Sequence, residues 1–247
     1  MEGDAVLVVT LTSDFGEGSP YVAAMKGAVL RACPDARLVD VSHAIEPFAV
    51  DSAAFVLWAG TRHFGVRSVH LAVVDPGVGS GRRRIALAVD GRFYVGPDNG
   101  IFSVVLEHAS SPPEAVELAR PAGASSTFEG RDVFAPAAGR LAAGATLNEL
   151  GQALDASELQ RLAGEPRVVW IDRFGNLVLS LQPPARPLLI GDVAVNDVAR
   201  TFAEAPNGRP FVYEGSMGRL EVGVAYGRAD VALKAAAGTL VSELTVP

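Results

Sequence analysis

Short apolar runs alternate with helical patterns over the first third of the chain. Residues 6–12, 38–42 and 69–74 are rich in β-branched side chains and predict strands. Between them, residues 20–33 and 50–64 carry apolar side chains at helical spacing. Strands that alternate with helices of this length are typical of an α/β domain with a largely parallel central sheet.

The pattern changes after residue 84. Apolar runs flank Asp90-Gly91, which is a strong signal for a two-residue β-hairpin, and residues 100–108 and 131–144 predict helices. The turn residues Gly164-Glu165-Pro166 mark a domain boundary. We therefore predict an N-terminal α/β domain (residues 1–164) and a smaller all-β domain (residues 165–247). The strand spacing of the second domain favours a barrel or a sandwich.

Composition narrows the class of protein. The chain has 247 residues, of which 49% are hydrophobic, and a formal net charge of -7, so we expect a folded protein that does not bind nucleic acid. The single cysteine excludes a disulfide scaffold, and the four histidines lack the spacing of a metal site. Apolar runs are too short for a membrane span, and residues 1–9 lack the basic start of a signal peptide. These features predict a soluble cytoplasmic protein without a metal.

Candidate chemistry lies at the ends of two predicted strands. Asp14 and Asp75 stand where strands end, which is the edge at which open α/β sheets bind ligands. Asp75 begins the stretch Asp-Pro-Gly-Val-Gly-Ser-Gly-Arg-Arg-Arg, whose glycines allow close approach of the backbone to a ligand. The stretch lacks the lysine of a nucleotide-binding P-loop. A glycine turn with a solvated basic tip is the alternative interpretation.

Six motifs, each of which alone reads as a turn or a helix cap, occur in a specific order. Together they resemble the S-adenosylmethionine (SAM) hydroxide adenosyltransferases, which are related to the fluorinating and chlorinating SAM enzymes. The motifs are Ser13-Asp14-Phe15-Gly16, Val41-Ser42-His43-Ala44-Ile45, Val73-Val74-Asp75-Pro76-Gly77-Val78-Gly79 with Arg82-Arg83, Gly96-Pro97-Asp98-Asn99-Gly100, Thr127-Phe128-Glu129-Gly130-Arg131-Asp132 and Ile171-Asp172-Arg173-Phe174-Gly175-Asn176.

The resemblance carries expectations about fold, assembly and activity. It implies an α/β N-terminal domain and a β-barrel C-terminal domain, in a homotrimer whose ligand lies between one subunit's N-terminal domain and a neighbour's C-terminal domain. The implied reaction is hydrolysis of SAM to adenosine and methionine by water or hydroxide at C5′. SAM is then the substrate, and neither a cofactor nor a metal is required.

The resemblance also implies roles for individual residues. Asp75 and Arg82 match two members of an Asp-Arg-His set that handles the attacking water. The expected substrate contacts are Asp14 with the ribose hydroxyls, Phe48 with the sugar and base, Phe128 with the reaction centre, Asp172 and Ser216 with the methionine amine and carboxylate, Asn176 with adenine, and the backbone around Met217 with the adenine region.

One position departs from the family pattern in a way that bears on activity. Glu129 stands where the family has histidine. An ionised Glu129 near Asp75 would disfavour hydroxide and engage Arg82, whereas a Glu129 that shares a proton could itself act as a catalytic acid or base. A smaller departure is Gly215, where the family often has asparagine.

Two alternatives to hydrolysis follow. The chain could be a SAM- or adenosine-binding protein with impaired catalysis, because the histidine is absent. A SAM-dependent halogenase is disfavoured, because the carboxylate of Asp75 would repel a halide at the position of the nucleophile.

Overall fold

The computed structural model describes residues 7–244, and the chain divides into two compact units. Unit 1 is Met1–Leu162 and unit 2 is Ala163–Pro247, whereas the sequence places the boundary after residue 164. Residues 1–6, which hold the start of the first predicted strand and most of the segment judged for a signal peptide, lie outside the described residues.

Unit 1 is built on a seven-stranded sheet with the strand order β2-β1-β3-β5-β4-β6-β7. Its strands are β1 (Val8–Ser13), β2 (Arg37–Ser42), β3 (Val69–Val73), β4 (Arg84–Val89), β5 (Arg92–Pro97), β6 (Glu114–Leu118) and β7 (Gly151–Leu154).

Helices and helical turns connect these strands. Ser19 caps the first helix by accepting a hydrogen bond from the Tyr21 N–H, and Pro20 occupies its first turn. The helices are α1 (Pro20–Ala32), α2 (Val50–Thr61), α3 (Ser103–Glu107) and α4 (Ala135–Ala142), with a π-helical turn at Gly130–Phe134 and 3-10 turns at Leu147–Glu149 and Ala156–Glu158.

The predicted largely parallel sheet is wrong for half of unit 1, because the sheet is mixed. Strands β2, β1, β3 and β5 are parallel neighbours, whereas β5, β4, β6 and β7 pair antiparallel. The change of direction arises at the predicted hairpin, which is confirmed. Asp90 and Gly91 both have positive φ, 47° and 75°, as a tight two-residue turn between β4 and β5 requires.

Side chains of the sheet pack on both of its faces. On one face, Val9 and Leu11 of β1 belong to the same apolar cluster as Met25 of α1 and Leu141 of α4. Strand side chains alternate between faces, so Thr10 and its neighbour His70 point to the other face, where the His70 ring contacts aromatic side chains. The predicted α/β class of the N-terminal domain is therefore confirmed.

Within residues 163–244, unit 2 consists of short strands and one short helix. The strands form a five-stranded sheet of order β12-β13-β14-β9-β8 and a three-stranded sheet of order β11-β10-β15, so within residues 163–244 two separate sheets are seen, and closure into a barrel stays a prediction. The elements are β8 (Val168–Ile171), β9 (Leu177–Leu179), β10 (Leu188–Ile190), β11 (Val193–Val195), β12 (Asp197–Val198), β13 (Pro210–Glu214), β14 (Leu220–Val224), α5 (Ala229–Leu233) and β15 (Val241–Glu243).

No helix within residues 7–244 has both the length and the apolar character that crossing a membrane requires.

His70 is a fully buried histidine at the centre of the sheet. Its ring nitrogens hydrogen-bond to the hydroxyls of Thr10 at 2.8 Å and Ser68 at 3.0 Å. Burial, and secondarily the charge of Arg92, lowers the pKa of His70 to about 3. The folded protein therefore holds a neutral imidazole that the unfolded chain protonates below its ordinary pKa.

We predict that His70 makes folding sensitive to acid. Between the unfolded pKa of about 6.5 and the folded pKa, the unfolded chain binds the extra proton, so stability falls as pH falls. Replacing His70→Gln should reduce the pH dependence of the free energy of unfolding by about 1.4 kcal/mol per pH unit near pH 5, measured by urea denaturation. Exposed His63→Gln is the matched control, and equal slopes for the two variants would contradict the prediction.

Candidate functional site

The parallel half of the sheet brings two acidic residues to one edge. Asp14 directly follows β1, Asp75 lies two residues after β3, and these strands are parallel neighbours. Their carboxyl ends therefore meet, and both residues line one cavity of about 350 Å³ in unit 1. The edge that the sequence predicts to bind a ligand therefore forms a cavity, with an acid just after the end of each of two adjacent strands.

Aromatic side chains form one wall of this cavity. The rings of Phe15, Tyr21 and Phe128 contact one another with centroid separations of 5.1 to 5.8 Å. Such a wall suits a flat or apolar ligand group. The cavity is lined by Asp14, Phe15, Tyr21, Pro47, Phe48, Val73, Asp75, Val78, Thr127, Phe128, Glu129 and Gly130.

Phe48 stands at the rim in an unusual backbone conformation. Its φ is 68°, in the left-handed region, and its side chain is 69% exposed. Its N–H donates a hydrogen bond to Asp14 Oδ2 at 3.0 Å. A non-glycine residue held at positive φ costs free energy, and such strain is concentrated at functional sites. Asp14 thereby holds a strained loop that presents an aromatic ring beside the cavity.

Asp75 and Arg82 form a buried bidentate ion pair. Arg82 Nε donates to Asp75 Oδ1 at 2.9 Å, and Arg82 Nη2 donates to Asp75 Oδ2. Both side chains are more than nine-tenths buried. The planar guanidinium matches the carboxylate geometry, so the pair fixes the orientation of Asp75 toward the cavity.

Glu129 is the second acid on Arg82. Its side chain is fully buried, and its Oε2 accepts a hydrogen bond from Arg82 Nη2 at 2.5 Å. Its Oε1 accepts from Arg84 Nε at 2.7 Å and lies 3.5 Å from Arg120 Nε. Glu129 therefore engages Arg82, which is one of the two roles that the sequence predicts for it, and two further arginines lie around its carboxylate.

The two acids stabilise the charged form of Arg82. Burial alone lowers the pKa of Arg82, but the hydrogen bonds and charges of Asp75, and then of Glu129, outweigh burial and raise that pKa above its ordinary value. Arg82 therefore stays protonated and cannot act as a base.

The glycine loop after β3 packs tightly on the segment before Glu129. Gly79 has a φ of 80°, and a Cβ placed on it would lie 2.7 Å from the backbone oxygen of Ser126. Gly81, in the same loop, has no atom within 4 Å of the corresponding position. A glycine is thus required at 79, where it joins the Asp75 loop to the segment that carries Phe128 and Glu129.

The remaining candidate residues lie in unit 2, on two turns. Asp172 Oδ1 accepts hydrogen bonds from the N–H groups of Phe174 and Asn176, and Asn176 Nδ2 donates to Asp172 Oδ2, each at 2.8 Å. Ser216 is exposed and Met217 half-buried on the turn between β13 and β14.

The structure gives a steric reason for Gly215. A Cβ at this position would overlap the carboxylate of Glu221. Glu221 is buried and accepts a hydrogen bond from the Tyr213 hydroxyl. Burial raises the pKa of Glu221, and the charge of Asp172 raises it further. Glu221 therefore fills the space that a side chain at 215 would need.

Within unit 1 the structure brings together the predicted Asp14, Phe48, Asp75, Phe128 and Glu129 around one cavity, with Arg82 bonded to two of them. Sequence reasoning missed Tyr21, Arg84 and Arg120. Helical spacing does not single out Tyr21, and the sequence places Arg84 only in the basic tip of the glycine turn. For Arg120 the sequence offered no signal.

No group of three or more possible metal ligands occurs among residues 7–244. His43 and His70 are buried, and both rings hydrogen-bond to side chains of the sheet.

Comparison with known proteins identifies related chains. The family model of the SAM hydroxide adenosyltransferase N-terminal domain matches residues 9–151, and that of the C-terminal domain matches residues 166–242. A protein from Thermus thermophilus named (R)-S-adenosyl-L-methionine hydrolase is 40% identical over 91% of this chain and 94% of its own. A fluorinase from an Actinoplanes species is more distant, at 28% identity over 86% of this chain and 89% of its own.

One solved structure is similar to this chain over nearly its whole length. A conserved hypothetical protein from Thermus thermophilus superposes with a TM-score of 0.82 and 39% identity, covering 96% of this chain and 99% of that one.

We predict that the glycine at position 79 is needed for stability. Gly79→Ala should lower the free energy of unfolding by about 1–3 kcal/mol, because it combines an unfavourable φ with the contact to Ser126. Gly81→Ala should be neutral or stabilise by up to about 1 kcal/mol. Urea denaturation of both variants measures the difference, and equal effects would show that the loop does not need its left-handed residue.

Proposed function

Because the chain belongs to the SAM hydroxide adenosyltransferase family, we propose that it hydrolyses SAM to adenosine and L-methionine. The relatives with this activity in their names are 37–40% identical to the chain, whereas the fluorinases are 28–29% identical. The observation that carries the proposal is the buried Asp75–Arg82 pair beside an aromatic-walled cavity.

The reaction needs a positioned water more than it needs an activated leaving group. As the oxygen of water bonds to C5′, the C5′–S bond breaks and its electrons neutralise the sulfonium, so methionine leaves as a neutral thioether. The enzyme must align a water opposite sulfur and exclude bulk solvent. Asp75 can accept a hydrogen bond from that water and then take up its proton, which is released to solvent when the products leave. The charge of Arg82 stabilises developing hydroxide.

The cavity offers groups for the nucleoside part of SAM. Asp14 Oδ2 accepts the Phe48 N–H, and no described residue bonds to its Oδ1, which suits a ribose hydroxyl. The ring of Phe48 at the rim provides a face for the sugar and base. Phe128 lines the cavity near Asp75 and Glu129, at the proposed reaction centre.

Unit 2 would supply the remaining contacts. We assign Asp172 and Ser216 to the amine and carboxylate of methionine, Asn176 to adenine, and the backbone around Met217 to the adenine region. The proposed assembly is a homotrimer in which a barrel-like C-terminal domain of one subunit completes the site of its neighbour. We further propose that the enzyme acts in the cytoplasm, with SAM as its small-molecule partner and with neither a metal nor a cofactor.

One observation favours a second candidate, a SAM- or adenosine-binding protein with impaired catalysis. Glu129 competes with Asp75 for Arg82 Nη2, and it replaces a histidine that could exchange protons with the nucleophile. Halogenation has no such support, because the buried carboxylate of Asp75 would repel a halide.

The proposal predicts a product and a residue on which its formation depends. Pure protein incubated with SAM should yield adenosine and methionine, resolved by chromatography. Asp75→Ala should lower the rate at least ~100-fold, since the water loses its hydrogen-bond acceptor. SAM affinity, measured by calorimetry, should change much less than the rate.

The matched control is Asp35→Ala, which removes an exposed carboxylate that does not line the cavity. It should retain wild-type turnover. Wild-type protein that binds SAM but forms no adenosine at high enzyme loading would favour the binding-protein alternative, and a chlorinated nucleoside formed in added chloride would favour the halogenase.

A further inference from the structure

Two arginines contact the Glu129 oxygen that Arg82 leaves unused. Arg84 Nε donates to Glu129 Oε1 at 2.7 Å, and Arg120 Nε lies 3.5 Å from the same oxygen, whereas Arg82 binds the other oxygen, Oε2. We propose that Arg84, assisted by Arg120, is a positioning residue for SAM hydrolysis, because it balances the charge of Glu129 and so keeps Glu129 from drawing Arg82 away from Asp75. This inference rests on the proposed function.

The charges of the cluster explain why a neutralising group is needed. Asp75 and Glu129 are two buried carboxylates on a single guanidinium, which leaves one negative charge unmatched in the protein interior. A buried carboxylate without a matched cation is strongly destabilising. With Arg84 and Arg120 included, two acids face three arginines, and Glu129 no longer depends on Arg82 alone.

Strand pairing places both arginines at Glu129. Arg84 is the first residue of β4, and Arg120 follows the end of β6. These strands are antiparallel, with Ile85 opposite Glu117, so the start of β4 meets the end of β6. Both arginines also line a second cavity of about 480 Å³, so solvent reaches their outer side while Glu129 stays fully buried.

Glu129 consequently does not serve as a catalytic acid or base, which is one of the roles considered for it from the sequence. Among the residues that the structure describes, three arginines contact its carboxylate, and together they engage both oxygens. It is a fixed anion that holds the terminal nitrogen of Arg82 in place, and it acts on the nucleophile only through Arg82 and Asp75.

A double-mutant cycle tests the proposal. The rate of adenosine formation is measured for wild type, Arg84→Gln, Glu129→Gln and the double variant. Arg84→Gln alone should lower kcat about tenfold with KM for SAM within about twofold, because Glu129 then draws Arg82 from Asp75. In the Glu129→Gln background the same change should alter kcat less than about twofold, and Arg84→Lys should restore most of the loss.

Arg83→Gln is the matched control, because Arg83 pairs with Asp98 and Glu158 rather than with Asp75 or Glu129. Its effect on kcat should be equal in both backgrounds. Thermal unfolding establishes that each variant is folded, and if Arg84→Gln is not, Arg120→Gln in the same cycle decides the question.

Two results would overturn the proposal. An unchanged kcat in Arg84→Gln, or an equal loss in the two backgrounds, would make Arg84 a purely structural residue while leaving SAM hydrolysis intact. Wild-type protein that forms no adenosine would overturn the proposed function and this inference together.

Discussion

The site depends on one guanidinium, that of Arg82, which joins two buried carboxylates. Asp75 and Glu129 come from different segments of the chain, and Arg82 bonds to both. Charges removed from water must find their partners with good geometry, or the fold loses several kcal/mol. The loop after β3, the start of β4 and the segment before the π-helical turn are therefore constrained to meet at Arg82.

The two halves of the mixed sheet in unit 1 position different residues of the site. The parallel half places Asp14 and Asp75 at one edge beside the aromatic wall. The antiparallel half places Arg84 and Arg120 against the far side of Glu129. A purely parallel sheet would have supplied the ligand edge without the arginines. The antiparallel half of the sheet, of which the sequence predicted only the hairpin, therefore supplies the arginines that balance the charge of Glu129.

Patterns within short stretches of sequence predicted the elements of the fold that such stretches determine. The apolar runs indicated the central strands, Asp90-Gly91 indicated the hairpin, and strand direction placed Asp14 and Asp75 at one edge. The antiparallel strands β6 and β7 have no comparable signal, because both are short and lack a strong apolar run. The contact of Arg120 with Glu129 depends on the pairing of β6 with β4. The roles assigned to the unit 2 residues came from motif resemblance, since spacing alone describes turns at those positions.

In the proposed reaction, water held by Asp75 and Arg82 attacks C5′ of SAM. The most direct measurement is hydrolysis in water enriched with heavy oxygen, followed by mass spectrometry of both products. Attack at C5′ would place one heavy oxygen in the 5′-hydroxyl of adenosine and none in methionine, which is the result we expect. Heavy oxygen in the amino-acid product, with a thio-nucleoside in place of adenosine, would place the attack on the methionine chain and rule out attack at C5′.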